Sequence, residues 1–437
     1  MTEHWNRREL LRQAALAGAA AVVGWPQTST ARPRSPSDKL NIACIGVGGR
    51  GWANTQAMAK ENVVALCDVD SGRVEAAAKH FPSARRYADF RELLDKEKDL
   101  DAAVVSTPDH MHAPASLTAL QRKLHVYCEK PLTYSVFEAR QVGQLAAKNK
   151  LITQMGTGGQ SDPGFWRTVA AIQAGAIGDV LQVHHWTNRP IWPQGQDRPA
   201  GADPVPNSLN WNLWLGVAPV RPYKSKYLDG PFKGKQVYHP FVWRGWWDFG
   251  TGALGDIAPH SVNVTFRALN LGAPKSVEAE CSGTNGDSFP SWSIIHFDFP
   301  ARDGRAPVRL TWYDGGKKPP AELVGEKTLP DNGAIFIGKK GILYGGTLLP
   351  KKDFAGYRWP EPKTAPYPEV HEDWLQGIRT GRIPGCDFTY SGPMTEAYLL
   401  GNIALRVGRR IEWDPVAFKV TNCPEANQYL KREYRKY

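Results

Sequence analysis

The chain of 437 residues lacks several features that mark common classes of protein. Its six cysteines include no Cys-x-x-Cys pair, so we expect no zinc site and no required disulfide. After residue 24 no apolar run approaches the roughly 20 residues that span a bilayer, so we expect no stable membrane insertion. The net charge is +11, but no basic stripe carries interleaved aromatic rings, so we expect no nucleic-acid binding.

The N-terminal segment has the pattern of an export signal. Arg7 and Arg8 precede an Ala-rich apolar stretch over 14–24, and small residues suited to cleavage follow at 29–31. The stretch is too short for a membrane span, and twin arginines before it are typical of a Tat signal. We therefore expect residues 1–37 to be a Tat-type signal peptide. The Tat export machinery would be a partner, and the mature protein would be periplasmic or otherwise extracytoplasmic.

The alternation of strands and helices changes once along the mature chain. Over 38–155, short apolar runs alternate with helical patterns, which predicts a doubly wound parallel sheet. Over 156–437 a helix and a strand are followed by an irregular stretch rich in Pro, Trp and Gly. Several strand-like runs and two closing helices come after it. This rhythm predicts an α+β domain with a large open, mostly antiparallel sheet.

A glycine-rich turn follows the first predicted strand. Gly46-Val47-Gly48-Gly49-Arg50-Gly51 fits G-x-G-x-x-G, opens a helix, and precedes Asp68 by 22 residues at the end of the next strand. That context predicts a dinucleotide site. Gly46 permits the tight turn, Gly48 lets the backbone approach a pyrophosphate, and Gly51 allows close packing of helix and strand. Gly49 and Arg50 belong to the same turn.

Asp68 and two later strand ends complete the predicted cofactor site. Asp68 is expected to accept hydrogen bonds from the ribose hydroxyls and to repel a 2′-phosphate. This favours NAD over NADP, although a nearby arginine could weaken that repulsion. Ligands bind at the carboxyl ends of parallel strands, so we also expect the following residues to line the cleft: Ser106, Thr107, His110, Glu129 and Lys130. His112 is expected to be structural.

These motifs together resemble the Gfo/Idh/MocA family of oxidoreductases. The resemblance rests on the glycine turn, Thr107-Pro108-Asp109-His110, Tyr127-Cys128-Glu129-Lys130-Pro131, Gly175-Ala176-Ile177-Gly178, and the stretch from Asp387 to Pro393. Matching landmarks run from Lys39 to about Asp414. A further landmark is Asp256 and His260, whose spacing of four places them on one helix face. Pro259 is a mild departure from a regular helix.

The resemblance implies a catalytic cluster of Lys130, Asp256 and His260. Oxidation of a carbinol removes a hydroxyl proton while a hydride leaves its carbon. A histidine can take that proton, and a lysine can stabilise the developing alkoxide. Asp256 would orient a neighbouring hydroxyl.

The expected substrate is saccharide-like, and four residues of the second domain are candidates to contact it. Asn188 and Arg189 could grip hydroxyls or an acidic group, and Trp192 and Trp247 could pack on a sugar face. We expect most of the tryptophans between 186 and 247 to be core residues.

Three functions remain open from the sequence. The first is a sugar, glycoside or cyclitol dehydrogenase, with a tightly held cofactor as one form. The second is an NAD-dependent redox glycosidase, which oxidises, eliminates, adds water and reduces again. The third is a non-catalytic dinucleotide or sugar-binding protein, which the presence of Lys130, Asp256 and His260 disfavours. We also expect a homo-oligomer, since the open sheet would otherwise expose one face.

Overall fold

The computed structural model describes residues 39–437. The signal peptide predicted for residues 1–37 lies outside the described residues and stays a prediction. Within residues 39–437, no helix has both the length and the apolar character needed to cross a bilayer. In the same range, no group of three or more His, Cys, Asp and Glu side chains is placed to hold a metal ion.

The first sheet is parallel throughout and doubly wound. Its six strands are β1 (Asn41–Ile45), β2 (Asn62–Cys67), β3 (Arg85–Tyr87), β4 (Ala102–Val105), β5 (His125–Glu129) and β6 (Thr153–Gly156). They lie in the order β3-β2-β1-β4-β5-β6, as the α/β prediction requires. The chain reverses its direction of winding between β1 and β4. In such sheets ligands bind in the crevice at that point.

Five helices follow the strands of this sheet. They are α1 (Arg50–Ala57), α2 (Ser71–Ala78), α3 (Phe90–Lys96), α4 (Asp109–Gln121) and α5 (Val136–Asn149). Asp70 and Asp89 cap α2 and α3 by accepting backbone N–H groups two residues on. Ser135 and Glu138 form a capping box at the start of α5. Because helices cover both faces of the sheet, every residue of β4 and β5 is buried.

The second sheet is open and mostly antiparallel, which confirms the α+β prediction. Its nine strands are β7 (Val180–Trp186), β8 (Ser276–Cys281), β9 (Ser293–Phe299), β10 (Val308–Tyr313), β11 (Gly333–Gly338), β12 (Ile342–Tyr344), β13 (Thr347–Leu349), β14 (Ile411–Asp414) and β15 (Lys419–Val420). They lie in the order β13-β12-β11-β7-β10-β9-β8-β14-β15. The one parallel pair among them is β7 with β10.

Six helices belong to the rest of the described chain, and one of them returns to the first sheet. They are α6 (Pro163–Gln173), α7 (Trp211–Leu215), α8 (Gly252–Ser261), α9 (Asn263–Leu269), α10 (Val370–Thr380) and α11 (Phe388–Val407). Val370 and Trp374 of α10 pack into one apolar cluster with Ile42 and Tyr127. The predicted division of the chain at residue 155 stays a prediction. Helix α10 follows that residue in sequence, yet it packs against the first sheet.

Helices α5 and α11 belong to different domains and pack closely against each other at two glycines. A Cβ added to Gly143 would lie 2.9 Å from the carbonyl oxygen of Phe388, and one on Gly392 would lie 3.0 Å from that of Ala139. Backbone atoms cannot move aside as flexible side chains can, so even one methyl group requires the helices to separate.

We expect Gly143→Ala to lower the free energy of unfolding by about 1–3 kcal/mol, the usual range for an overpacked core. The measurement is thermal and urea unfolding beside Gly286→Ala, because a Cβ at Gly286 would meet no atom within 4 Å. Equal stabilities of the two variants would show that the helices do not pack this closely.

Candidate functional site

The glycine-rich turn after β1 brings three chain segments into close contact. Gly46 has a φ of 82°, and a Cβ there would lie 2.6 Å from the carbonyl oxygen of Ser106. A Cβ on Gly51 would lie 1.8 Å from the Gly46 carbonyl oxygen. Larger side chains therefore cannot occupy these positions, and α1 starts directly against the sheet.

The N-terminus of α1 faces the cleft without a capping side chain. Gly49 is its N-cap, no side chain accepts from the first-turn amides, and no acidic residue lies in the first turn. Gly48, Gly49 and Arg50 line the cleft. Because free N–H groups and the helix dipole favour an anion, this terminus suits a pyrophosphate.

Asp68 lies directly after β2 and lines the same cleft. Its carboxylate accepts the backbone N–H groups of Val47 and Asp70, each at 3.0 Å. Burial raises the pKa of Asp68 above its ordinary value, and the positive charge of Arg73 opposes that rise. Two backbone donors thus hold the carboxylate in place, as an acid that binds ribose hydroxyls requires.

The cleft has a volume of about 710 Å³ and contains residues from both domains. Most of the residues predicted for the site line it. These are Gly46, Gly48, Gly49, Arg50, Gly51, Asp68, Ser106, Thr107, Glu129, Lys130, Arg189, Trp192, Asp256 and His260. The fold therefore brings the glycine turn and the three expected catalytic side chains into one space.

Lys130, Asp256 and Arg244 form one ion-pair cluster in this cleft. Lys130 Nζ donates to Oδ1 and to the backbone carbonyl of Asp256, each at 2.9 Å, and Arg244 Nε donates to the same Oδ1 at 3.0 Å. Burial alone would raise the pKa of Asp256, but Lys130 and then Arg244 outweigh it and hold the pKa below its ordinary value. The carboxylate is therefore charged and fixes the Lys130 ammonium in the cleft.

His260 lies one helical turn after Asp256 on α8. The Thr157 hydroxyl is 3.2 Å both from His260 Nδ1 and from the carbonyl oxygen of Pro259. The residue is exposed to the cleft, yet the cleft walls shield the ring from bulk water. This desolvation, followed by the positive charge of Lys130, lowers the pKa of His260 to about 4. At neutral pH the imidazole is therefore uncharged and able to accept a proton.

Glu129 lines the cleft and forms hydrogen bonds that connect its other lining residues. Its Oε1 accepts from Arg50 Nε and from Asn54 Nδ2, each at 3.0 Å. Asn54 also donates to the Ser106 hydroxyl at 2.8 Å. Glu129 thus links the glycine turn to the loop after β4, beside the lysine that follows it in sequence.

The structure corrects the expectation for His110. Its ring is fully buried, with Nδ1 3.2 Å from the Phe249 carbonyl oxygen and Nε2 3.0 Å from that of Trp214. It does not line the cleft, whereas His112 does. Helix α4 begins at Asp109, so the two histidines lie two positions apart on its first turn and point to different sides. His112 Nε2 lies 2.7 Å from the Thr107 carbonyl oxygen.

Two of the four proposed substrate residues also lie elsewhere. Trp247 packs on Phe289, with ring centroids 3.6 Å apart, and lines a separate cavity of about 640 Å³. Asn188 does not line the cleft. Its Oδ1 accepts from Arg189 Nη1 at 2.5 Å, and its Nδ2 donates to Asp331 at 3.2 Å. Asn188 therefore supports Arg189 and does not face a ligand directly.

The other aromatic expectation is confirmed, since six of the seven tryptophans over 186–247 are buried. Most of these rings are core residues and are not available to stack on a sugar.

Sequence reasoning missed Arg244 and Asp109. Arg244 stands in an aromatic-rich stretch without periodicity, so only its 12-residue spacing to Asp256 links the two. Asp109 is buried and accepts the Thr251 hydroxyl at 2.7 Å. Burial raises the pKa of Asp109 to about 7, with Arg244 opposing the rise. Its position in the Thr107-Pro108-Asp109-His110 motif, at the end of a strand, could have indicated that Asp109 lies at the site.

Two family models match the chain. Residues 40–157 match the oxidoreductase family's NAD-binding Rossmann fold, and residues 183–437 match the same family's C-terminal alpha/beta domain. Inositol 2-dehydrogenase from Salmonella paratyphi B is 30% identical over 151 residues, which are 33% of this chain and 45% of that relative. The chain spans about half the length of the curated relatives it matches.

Solved structures share the fold at lower identity. The WlbA dehydrogenase from Bordetella pertussis, in complex with NADH and UDP-GlcNAcA, has a TM-score of 0.58 at 16% identity over 86% of this chain and 99% of that one. The aldose-aldose oxidoreductase from Caulobacter crescentus, complexed with glycerol, has a TM-score of 0.54 at 17% identity over 86% and 100%. With both domains matched by its models, the chain belongs to the Gfo/Idh/MocA oxidoreductase family, and its first domain is an NAD-binding Rossmann domain.

Proposed function

We propose that this protein oxidises or reduces a CH–OH group of a sugar, glycoside or cyclitol with NAD as its redox cofactor. The observation that carries the proposal is the placement of Lys130, Asp256 and His260 in the cleft that also holds the glycine turn. The names of the inositol dehydrogenase and aldose-aldose oxidoreductase relatives support the same substrate class.

The cofactor site fits NAD on three observations. Gly46 and Gly51 leave no room for a Cβ, the α1 terminus has no covering side chain, and Asp68 is fixed by two amides. NAD supplies the hydride acceptor when bound. The Asp68 carboxylate favours NAD over NADP. The guanidinium of Arg73, which packs over Gly48, weakens that preference.

The catalytic side chains divide the remaining chemistry. Neutral His260 accepts the proton of the substrate hydroxyl. The Lys130 ammonium donates a hydrogen bond to the same oxygen and stabilises its developing negative charge. Asp256, which Arg244 also binds, keeps Lys130 in position. Lys130 in turn helps keep His260 uncharged.

The pKa of His260 predicts the acid limb of the rate profile. Protonated His260 cannot accept a proton, so kcat/KM is expected to rise as pH increases through about 4 and to level off above it. In Lys130→Met the lost positive charge is expected to raise the His260 pKa toward its ordinary value near 6.5. Histidine-labelled NMR titration of both proteins measures this directly. An unchanged titration would mean that Lys130 does not act on His260.

Product analysis tests the proposed function. The purified protein is incubated with mono- and disaccharides and cyclitols, with and without added NAD, and products are identified by mass spectrometry. Loss of two hydrogens in step with cofactor reduction is the expected result. Cleaved glycosides without net oxidation would establish the redox glycosidase instead. Unchanged sugars together with intact NAD binding would favour the non-catalytic alternative.

Export and assembly are further parts of this proposal. Twin arginines before an apolar stretch support Tat export, and an exported enzyme gains from a tightly held cofactor. The open second sheet supports a homo-oligomer. Light scattering of the purified protein and fractionation of expressing cells with Arg7→Lys/Arg8→Lys as control test both points. A monomer, or unchanged export of the variant, would contradict them.

A further inference from the structure

The cationic side chains of the cleft near the glycine turn are paired with carboxylates, whereas, among the residues described, one near the second domain is not. Five cationic side chains line it: Arg50, Arg73, Lys130, Arg189 and Arg244. Arg50 pairs with Glu129, Arg73 with Asp70, and Lys130 and Arg244 share Asp256. Arg189 alone among these five has no carboxylate partner within residues 39–437.

The acids of the cleft are already engaged and cannot serve Arg189. Asp256 accepts from two cations, Glu129 accepts from Arg50 and Asn54, and Glu369 binds His371. Asp109 is buried against Thr251. The Lys130–Arg244–Asp256 cluster itself carries one net positive charge. Arg189 adds one positive charge and Asp109 adds one negative charge, so this part of the cleft has an excess of about one positive charge, counting formal charges only.

One nitrogen of the Arg189 guanidinium is fixed by a hydrogen bond, and within residues 39–437 the other two are free to bind a ligand. Asn188 Oδ1 accepts from its Nη1, and Asp331 in turn accepts from Asn188 Nδ2. Its Nε and Nη2 have no hydrogen-bond partner in the described chain. These two atoms carry the parallel N–H pair that matches the two oxygens of a carboxylate.

The residues after Arg189 offer a surface for a sugar ring beside these two nitrogens. Ile191 and Phe241 line the cleft and stay 62% and 41% exposed. Trp192 lies against Phe241 with ring centroids 6.1 Å apart, and the Arg244 guanidinium lies 4.4 Å from the Phe241 ring centroid. An apolar surface therefore connects the unpaired arginine to the catalytic cluster.

We infer that the substrate is a sugar acid, whose carboxylate pairs with Arg189 while a ring hydroxyl reaches Lys130 and His260. The inference rests on the proposed function, because it identifies the substrate class of the same cleft. Asn188 then acts as a positioning residue that orders Arg189. This role explains why Asn188 and Arg189 are paired with each other at a position outside the apolar core.

The experiment compares hexuronates with their neutral amides. D-Glucuronate and D-galacturonate are tested against the matching amides, by calorimetric binding to the NAD-loaded protein and by turnover. A charge-assisted pair predicts that at least one acid is preferred to its amide by about 10- to 100-fold. Arg189→Met is expected to remove that preference and to change binding of the amide less than about threefold. Arg189→Lys should restore part of it.

The matched control is Arg302→Met, which removes the same charge from an exposed second-domain site paired with Asp303. It should leave the preference for acids unchanged. The inference is overturned if no acid binds better than its amide, or if Arg189→Met weakens acid and amide alike. If neutral sugars are oxidised without any preference for acids, this inference fails and the proposed function stands. If acids bind through Arg189 but nothing is turned over, the proposed function fails instead.

Discussion

Replacing Lys130 with methionine is expected to lower kcat/KM by about 10³-fold while NAD affinity changes little. The Lys130 ammonium is the donor that the structure places beside both Asp256 and the cleft, at 2.9 Å from the carboxylate. Methionine keeps most of the side-chain volume but cannot stabilise negative charge on a substrate oxygen. The loss should therefore appear in kcat and kcat/KM together, because the interaction strengthens in the transition state.

The matched control is Lys148→Met, an exposed lysine in the last turn of α5. It should keep wild-type kinetics and wild-type NAD binding. Calorimetric titration with NAD separates loss of chemistry from loss of the cofactor site. Wild-type kcat in Lys130→Met would contradict the role given to this side chain, whatever the NAD affinity.

Gly51→Ala is expected to weaken NAD binding by at least about 100-fold and to lower stability by about 1–3 kcal/mol or more. A Cβ at this position would lie 1.8 Å from the Gly46 carbonyl oxygen, a distance that no packing can accommodate. Gly46 has little room to retreat, because the backbone of Ser106 already occupies the space beside it, 2.6 Å from where a Cβ of Gly46 would lie. The turn must therefore open, and the helix terminus that suits the pyrophosphate must move away.

Tryptophan fluorescence titration with NAD, together with thermal unfolding, measures both effects. Gly286→Ala again provides the control, since its Cβ would meet open space. NAD affinity of Gly51→Ala within a few-fold of wild type would show that the dinucleotide does not bind at this turn. A large loss of stability without a loss of NAD affinity in the folded fraction would lead to the same conclusion.

The parallel sheet and its ligand turn could be predicted because their signals are local. Buried strands such as Ala102–Val105 form continuous apolar runs, and the glycine spacing encodes a backbone shape directly. The pair of Asp256 and His260 could be found only through the family resemblance. An isolated acid and histidine four residues apart is otherwise typical of an exposed helix face.

The remainder of the site depends on contacts that the chain pattern does not encode. Arg244 reaches Asp256 from a segment without periodicity, and α10 packs on a sheet more than 200 residues earlier in the chain. The placement of His110 away from the cleft follows from where α4 begins, and the ends of a helix are set by tertiary contacts. Trp192 and Trp247 both lie in the irregular stretch rich in Pro, Trp and Gly, and only packing decides which of them lines the cleft.

Isotope transfer from substrate to cofactor tests the central claim most directly. A sugar that the protein turns over is prepared with deuterium at each carbinol carbon in turn. After a single turnover with NAD, the recovered cofactor is examined by mass spectrometry. The account predicts one deuterium in the cofactor, from one defined carbon, in wild type and in Lys148→Met, and a transfer about 10³-fold slower in Lys130→Met. An unlabelled cofactor beside a chemically altered sugar would contradict it.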